Sequence, residues 1–132
     1  MIALDTNVLV RLLVQDNPHQ FMAATALLEA ASEAGEPCYL SDVVLAETIW
    51  VLRSRYGAGR SDLQTVLTQI LADSRYLLDD PDTVTEALAA FAEGKAGFSD
   101  YLISARARRK GARATFTFDR KLKGHPGSTC LR

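Results

Sequence analysis

Short apolar runs alternate with amphipathic stretches along the whole chain, and this alternation restricts the possible folds more than any other feature of the sequence. Strands that alternate with helices pair in parallel, and the connecting helices cover both faces of the sheet. The sequence therefore predicts an α/β protein, a three-layer α/β/α sandwich with a central parallel sheet of about five strands. The predicted strands lie at residues 2–4, 38–40, 76–78 and 114–118, with an edge strand at residues 128–131.

Six helices are predicted between these runs from apolar spacing and from the residues that begin and end helices. Leu63, Leu67 and Ile70 recur at the i, i+4 and i+7 positions of one helix face. Proline at a first helical position and glycine just past a last one mark several boundaries. Ser41 and Ser99 are the predicted N-caps of the third and sixth helices. The six helices begin near Asn7, at Pro18, at Asp42, after Ser61, at Pro81 and at Asp100.

The length of 132 residues and the 48% hydrophobic content fit one globular domain with a single core. Residues 1–132 are therefore expected to form one domain. No apolar run approaches the ~20 residues needed to span a bilayer, and the N-terminus lacks the basic segment of a secretion signal. A soluble cytoplasmic protein is expected. Cys38 and Cys130 lack metal-ligand spacing, so buried free thiols are expected in place of a disulfide or a zinc site.

Two aspartates directly follow predicted strands, which places them where parallel sheets bind ligands. Asp5 follows the first apolar run and Asp119 follows the fourth, and ligands bind beyond the carboxyl ends of parallel strands. Thr117 is two residues before Asp119, so the two side chains lie on one face of the strand. A third aspartate, Asp100, falls in the first turn of the sixth helix. The alternative is that Asp5 only caps the first helix and Asp100 only complements a helix dipole.

Glu47 is the fourth acid, and it lies in an apolar stretch of the third predicted helix. Its neighbours at i−4, i+3 and i+4 are Val43, Trp50 and Val51, and a glutamate is rarely buried on such a face without a partner. An ion pair with an arginine would explain it, as would a metal ion. Together the four acids offer only oxygen ligands, which suit Mg²⁺ or Mn²⁺ better than Zn²⁺. A cation would also relieve the repulsion between them and activate water.

Four short segments, at these separations and in this order, carry a resemblance to a known family: Ile2 to Asn7, Ser41 to Leu52, Phe98 to Asp100, and Thr115 to Asp119. The chain resembles the PIN-domain nucleases, and most closely the VapC-like toxins of toxin–antitoxin systems. The resemblance covers essentially the whole chain. It implies a metal site formed by the catalytic acids Asp5, Glu47, Asp100 and Asp119, with supporting polar side chains from Thr6, Asn7, Ser99 and Thr117.

The resemblance implies a Mg²⁺-dependent endoribonuclease, with Mn²⁺ as a substitute, that hydrolyses RNA as the toxin of a VapBC-type pair. Water would be the nucleophile in place of the RNA 2′-hydroxyl, so the products would carry a 5′-phosphate and a 3′-hydroxyl. A homodimer and an antitoxin protein that blocks the site are also implied. Two other interpretations stay open: a receiver-like phosphoacceptor signalling domain, for which no suitably placed lysine is found, and a catalytically silent PIN-like binding module.

The net charge of −1 conceals a strong asymmetry along the chain. Residues 1–94 hold 14 acids and 5 bases, whereas residues 95–132 hold 10 bases and 2 acids. A basic segment of this kind could bind the phosphates of RNA, although a solvated surface is the ordinary role of charged helix faces. The candidate RNA-binding side chains are Arg106, Arg108, Arg109, Lys110, Arg113, Arg120, Lys121 and Lys123.

Overall fold

The computed structural model describes residues 1–132, which form two compact units, Met1–Asp79 and Asp80–Arg132. We call these the N-terminal unit and the C-terminal unit. The N-terminal unit contains three strands and four helices. They are β1 (Ile2–Ala3), α1 (Thr6–Leu13), α2 (Pro18–Glu33), β2 (Cys38–Leu40), α3 (Asp42–Tyr56), α4 (Arg60–Ala72) and β3 (Tyr76–Leu78).

The three strands of the N-terminal unit form a parallel sheet with the order β1-β2-β3. Ile2 pairs with Cys38, and Cys38 pairs in turn with Tyr76. Parallel neighbours need a crossover connection, and the helices between the strands supply it. Leu9 of α1 and Leu40 of β2 have no exposed surface, so the packing of helix against strand forms the core of this unit.

The helices of the N-terminal unit begin and end at residues whose chemistry explains the boundary. At the start of α2, the side-chain oxygen of Asn17 accepts the N–H of Gln20 at 3.1 Å. At the start of α3, the Ser41 hydroxyl accepts the N–H of Val44 at 3.1 Å, so the predicted cap is confirmed. Helix α3 ends at Gly57 with φ of 66°, a left-handed conformation that glycine adopts without the penalty of a Cβ.

The C-terminal unit contains two helices that precede a pair of strands. Thr115 lies opposite Ser128 where the two strands pair in parallel. A short 3-10 helix separates the strands in sequence. The elements are α5 (Pro81–Glu93), α6 (Phe98–Arg109), β4 (Thr115–Thr117), the 3-10 helix (Arg120–Leu122) and β5 (Ser128–Cys130).

Packing of α5 against α6 holds the C-terminal unit together. Phe91 and Phe98 are buried and meet edge to face with 6.2 Å between ring centroids, an arrangement that the charge distribution of aromatic rings favours. Ion pairs join the other end of the two helices, where α5 begins and α6 ends. Arg106 and Arg109 lie 3.7 Å and 3.6 Å from the Oδ2 atom of Asp80.

The predicted α/β class and parallel pairing are confirmed, and all five predicted strands are present. They pair as a sheet of three in the N-terminal unit and a sheet of two in the C-terminal unit. Helix α6 begins at Phe98, two residues earlier than predicted. The predicted cap at Ser99 is wrong, because Gly97 occupies the N-cap position and donates its N–H to the carboxylate of Asp100.

Two further expectations concern the cysteines and the membrane. Cys38 and Cys130 are free thiols. Cys38 is buried, as expected, whereas Cys130 is only half-buried, so the expectation of a buried thiol is wrong there. None of the helices combines the length and the apolar composition that crossing a membrane requires.

Gly94, between α5 and α6, is expected to tolerate no side chain. A Cβ atom there would overlap the hydroxyl of Tyr101 and lie 3.0 Å from the carbonyl oxygen of Ala90. Tyr101 is 3% exposed and has little room to move. Gly94→Ala should therefore lower the free energy of unfolding by about 1–3 kcal/mol, as overpacking generally does. Urea denaturation measures the loss. Gly59→Ala is the control, since its Cβ would meet only a carboxylate oxygen at 3.8 Å; equal losses in the two variants would contradict the steric explanation.

The free energy of unfolding depends on pH through Asp80, whose carboxylate accepts a hydrogen bond from the Thr83 hydroxyl. The Thr83 hydroxyl donates to Asp80 at 2.6 Å and is the main reason that the pKa of Asp80 is lowered, followed by further hydrogen bonds and by Arg109. A lowered pKa means that the folded protein favours the ionised carboxylate. The resulting stability is present above the unfolded-state pKa of about 4 and is lost as pH falls through the lower folded-state pKa.

Removing that hydroxyl should flatten the acid side of the stability profile. Thr83→Val keeps the shape of a buried side chain and deletes the donor, so we expect lower stability at neutral pH and a smaller loss between about pH 5 and pH 2. Thermal melts across this range test it. Thr85→Val is the matched control, because the Thr85 hydroxyl donates to the Pro81 carbonyl at 2.8 Å and to no carboxylate. A profile of Thr83→Val parallel to that of the parent would count against this assignment.

Candidate active site

Asp5 lies at the carboxyl end of β1 and starts helix α1. The chain stays in register with β2 as far as Leu4, whose N–H donates to the Tyr39 carbonyl at 3.1 Å. Asp5 then takes the N-cap position, and its Oδ1 atom accepts the N–H of Thr6 at 2.7 Å. The residue is exposed. Asp5 is therefore a helix cap, as the alternative interpretation expected, but the cap occupies only one of its carboxylate oxygens and leaves the other open to solvent.

Glu47 lies on the exposed face of α3, so the interpretation of Glu47 as a glutamate on a buried apolar face is wrong. Val43 is 73% exposed and Trp50 is 61% exposed. Helix α3 instead buries Leu45 and Ile49, with Thr48 and Leu52, a stripe on the opposite side of the helix. Glu47 forms no ion pair, so the alternative of an arginine partner is excluded.

Asp5 and Glu47 line the same cleft, which α1 and α3 form where they pack together. The cleft has a volume of about 380 Å³. Thr6 and Asn7, two of the predicted supporting residues, line it as well. The N-terminal unit thus brings two carboxylates and two small polar residues to one open depression.

A polar network joins the two helices beside this cleft. Arg11 of α1 donates to Asp16 at 3.0 Å and to the Tyr56 hydroxyl at 3.3 Å, and Tyr56 donates to the other oxygen of Asp16 at 3.0 Å. Asp16 therefore compensates the charge of Arg11. Because Tyr56 is the last residue of α3, the network fixes the end of that helix against α1.

In the C-terminal unit, Asp100 occupies the third position of α6 and completes the helix start. Its Oδ2 atom accepts the N–H of Gly97 at 2.9 Å. The neighbouring Tyr101 is buried, and its hydroxyl accepts the N–H of Ala96 at 3.3 Å. These bonds hold the loop before α6. Asp100 and Ser99 are both half-buried in the first turn, where the positive end of the helix favours a carboxylate.

Asp119 follows β4 and has a comparable bonding pattern. Its N–H donates to the Thr117 hydroxyl at 3.0 Å, so Thr117 contacts the backbone of Asp119. The Oδ1 atom of Asp119 accepts the N–H of Lys121 at 2.9 Å, which caps the short 3-10 helix. As with Asp5, one carboxylate oxygen has a structural bond and the other is free.

Two of the four acids thus lie in each unit. None of the four forms an ion pair with a lysine or an arginine. Neither unit by itself contains three or more His, Cys, Asp or Glu side chains grouped so that they could hold a metal ion. Unpaired carboxylate oxygens are the ligands that hard divalent cations prefer, so the donor set fits Mg²⁺ or Mn²⁺ and does not fit a metal that needs sulfur or imidazole.

Three of the eight basic side chains proposed for RNA have partners within the C-terminal unit. Arg106 and Arg109 pair with Asp80, and Arg108 pairs with Glu86 of α5. Arg113 lies over the ring of Phe116, with 5.5 Å from its guanidinium carbon to the centroid. The other four are exposed: Lys110, Arg120, Lys121 and Lys123.

Sequence reasoning missed the side chains that line the rest of the acidic cleft. Trp50, Arg55 and Tyr56 line it beyond Glu47, and Arg11 lines it from α1. Trp50 and Arg55 follow Glu47 by three and eight residues, so helical spacing alone would have grouped them. This spacing was visible in the sequence, but Trp50 was interpreted as part of an apolar helix face.

Comparison with known proteins agrees with this geometry. A family model described as PIN domain matches residues 2–127. A protein named VapC ribonuclease from Aquifex aeolicus (strain VF5) is 26% identical over 120 residues, which cover 91% of this chain and 88% of the relative.

The capping bond of Asp100 makes a testable difference between two substitutions. Asp100→Ala removes the acceptor for the Gly97 N–H and should lower the free energy of unfolding by about 1 kcal/mol. Asp100→Asn keeps an oxygen acceptor and should lose less. Asp82→Ala is the control, since Asp82 also lies in a first helical turn but its side chain forms no capping bond. Denaturant melts without added metal measure all three; equal losses for the two Asp100 variants would show that the bond is unimportant.

Proposed function

Because the chain belongs to the PIN domain family, we propose that it is a metal-dependent endoribonuclease and the toxin of a VapBC-type toxin–antitoxin pair. The name of the VapC ribonuclease relative, which aligns with 91% of the chain, supports this substrate class. The structural observation that carries the proposal is the cleft of the N-terminal unit, where Asp5 and Glu47 lie without a basic partner. The family match gives no support to a receiver-like signalling domain.

Asp5, Glu47, Asp100 and Asp119 are proposed to bind the metal together within one domain that comprises residues 1–132. The position of each acid within its own unit supports this, because two acids follow parallel strands, one begins a helix, and the fourth shares a cleft with the first. Four carboxylates repel one another, and a divalent cation removes that repulsion. We propose Mg²⁺, with Mn²⁺ as a substitute. The supporting polar side chains are Thr6, Asn7, Ser99 and Thr117.

The contribution of the protein to the reaction is to hold the carboxylates in position. Asp5 and Asp100 are fixed by N–H groups at helix starts, and the Thr117 hydroxyl fixes the backbone of Asp119. A cation held by Asp5, Glu47, Asp100 and Asp119 would lower the pKa of a water molecule and stabilise the charge that develops on the phosphate. With water as the nucleophile, the products carry a 5′-phosphate and a 3′-hydroxyl.

The proposed partners are an RNA substrate, an antitoxin that blocks the cleft, and a second copy of the chain in a homodimer, all in the cytoplasm. Of the basic side chains, those without an acidic partner are the better candidates for phosphate contacts. An arginine already paired with Asp80 or Glu86 would have to give up that interaction. The favoured set is Lys110, Arg113, Arg120, Lys121 and Lys123.

The reaction can be tested with purified protein freed of any antitoxin. We expect single-stranded RNA to be cut with Mg²⁺ or Mn²⁺ and left intact in EDTA. Asp5→Asn and Glu47→Gln should each lower kcat/KM by about 100-fold or more, since both remove a proposed metal ligand. Glu29→Gln, at an exposed position of α2 outside the cleft, is the control and should cut normally.

The product ends separate hydrolysis from transesterification. A 2′-deoxy substitution at the scissile nucleotide should leave cleavage intact, and mass spectrometry should find 5′-phosphate and 3′-hydroxyl ends. A product with a 2′,3′-cyclic phosphate end, or undiminished cleavage in EDTA, would contradict the proposed mechanism.

A further inference from the structure

We propose that Trp50 and Arg55 form an RNA subsite beside the acidic cleft, in which an unpaired base stacks on the indole ring and a neighbouring phosphate binds the guanidinium. This inference rests on the proposed ribonuclease function and names residues that select the substrate. Both side chains line the cleft that contains Asp5 and Glu47.

The positions of these residues along α3 define a track that leads away from the acids. Glu47 and Trp50 are three residues apart, which is about 4.5 Å along the helix axis, and Arg55 lies about 12 Å from Glu47. All three side chains reach the same cleft. A strand cleaved beside Glu47 would therefore pass the indole ring with the nucleotide next to the cleaved bond, and would reach Arg55 beyond it.

Trp50 is unusually exposed, because folded proteins generally bury most of the surface of a tryptophan side chain. Trp50 is 61% exposed, although α3 has a separate stripe that packs inward. The ring is therefore not needed to hold α3 in place. An aromatic face open to solvent can stack on any base, because every base presents a π-face.

Arg55 supplies the charge that this arrangement needs. It is exposed and has no ion pair or hydrogen bond within the protein, whereas Arg11 in the same cleft is bound to Asp16. Tyr56, held by Arg11 and Asp16, closes the cleft next to it. The free cation of the cleft thus lies on the same helix as the exposed aromatic ring and lines the same cleft, a combination typical of grooves for single-stranded nucleic acid.

An unpaired base fits this cleft better than a base pair does. The volume of about 380 Å³ lies within the range of pockets that take small-molecule ligands. Stacking on an indole also requires a base whose face is not covered by its neighbours. The subsite should therefore favour single-stranded RNA over duplex RNA.

The chain contains one tryptophan, so its fluorescence reports on Trp50 directly. We expect a single-stranded RNA oligonucleotide, titrated into the full-length parent protein in EDTA to prevent cutting, to quench this fluorescence in a saturable manner. The same sequence annealed into a duplex should quench weakly. Fluorescence that single-stranded RNA leaves unchanged would overturn the proposal.

Substitutions with matched controls test the two residues separately. Trp50→Ala should raise KM for single-stranded RNA roughly tenfold or more, as loss of a stacked base typically does, and Trp50→Phe should restore most of the affinity. Met22→Ala, which removes another exposed apolar side chain in the N-terminal unit, should change nothing. Arg55→Gln should reduce the salt dependence of binding by about one phosphate contact, and Arg53→Gln, outside the cleft on the same helix, should not.

The outcomes of these experiments also distinguish failure of the proposed subsite from failure of the proposed ribonuclease function. If the parent cuts RNA and Trp50→Ala cuts with the same KM, the subsite is refuted and the ribonuclease stands. If the parent cuts no RNA, the ribonuclease proposal fails, and the titration in EDTA still decides whether Trp50 stacks on bases. If Trp50→Ala changes only the oligomeric state or only inhibition by an antitoxin, the face belongs to a protein partner and the inference is wrong.

Discussion

A hydrogen bond from a backbone N–H at a helix start to an aspartate carboxylate is the interaction on which the candidate site depends. It recurs at Asp5, at Asp100 and at Asp119. The first N–H groups of a helix have no partner inside the helix, so each aspartate satisfies one of them and is oriented by it. The positive end of the helix also tolerates the negative charge, so these carboxylates need no lysine or arginine. The same bond that satisfies local folding therefore orients each aspartate and leaves its second carboxylate oxygen without a bond within the protein.

The sequence was sufficient to predict the positions that rest on local patterns. Asp5 and Asp119 follow apolar runs directly, and a strand that ends on an aspartate places that residue at the sheet edge whatever the rest of the chain does. The parallel pairing followed from the alternation of strands and helices. Helix boundaries were predicted within one or two residues where a proline, a glycine or a serine cap marked them, as at Ser41. The prediction of Ser99 as the cap of α6 was wrong because Gly97 is the N-cap, and its N–H is bound by the carboxylate of Asp100.

Features that depend on which of two surfaces is buried could not be predicted from spacing. Helix α3 carries apolar residues on two faces, and only tertiary packing decides that Leu45 and Ile49 point inward while Val43 and Trp50 face solvent. The partners of charged side chains were equally inaccessible. The basic composition of the C-terminal segment suggested phosphate binding, yet Arg106 and Arg109 lie beside Asp80 because α5 and α6 pack together. Composition gives the number of charges, and the fold gives their neighbours.

The carboxylate of Glu47, unlike those of the other three acids, accepts no hydrogen bond within the protein, and this has a consequence for evolution. A descendant of this chain that lost its activity would still need Asp5, Asp100 and Asp119, or their amides, to start helices. Nothing in the fold would retain Glu47 on its exposed helix face. Among diverged relatives, the proposed metal ligand Glu47 is therefore the position where substitution should first accompany loss of activity, whereas persistence of the three aspartates would show little more than that the chain still folds.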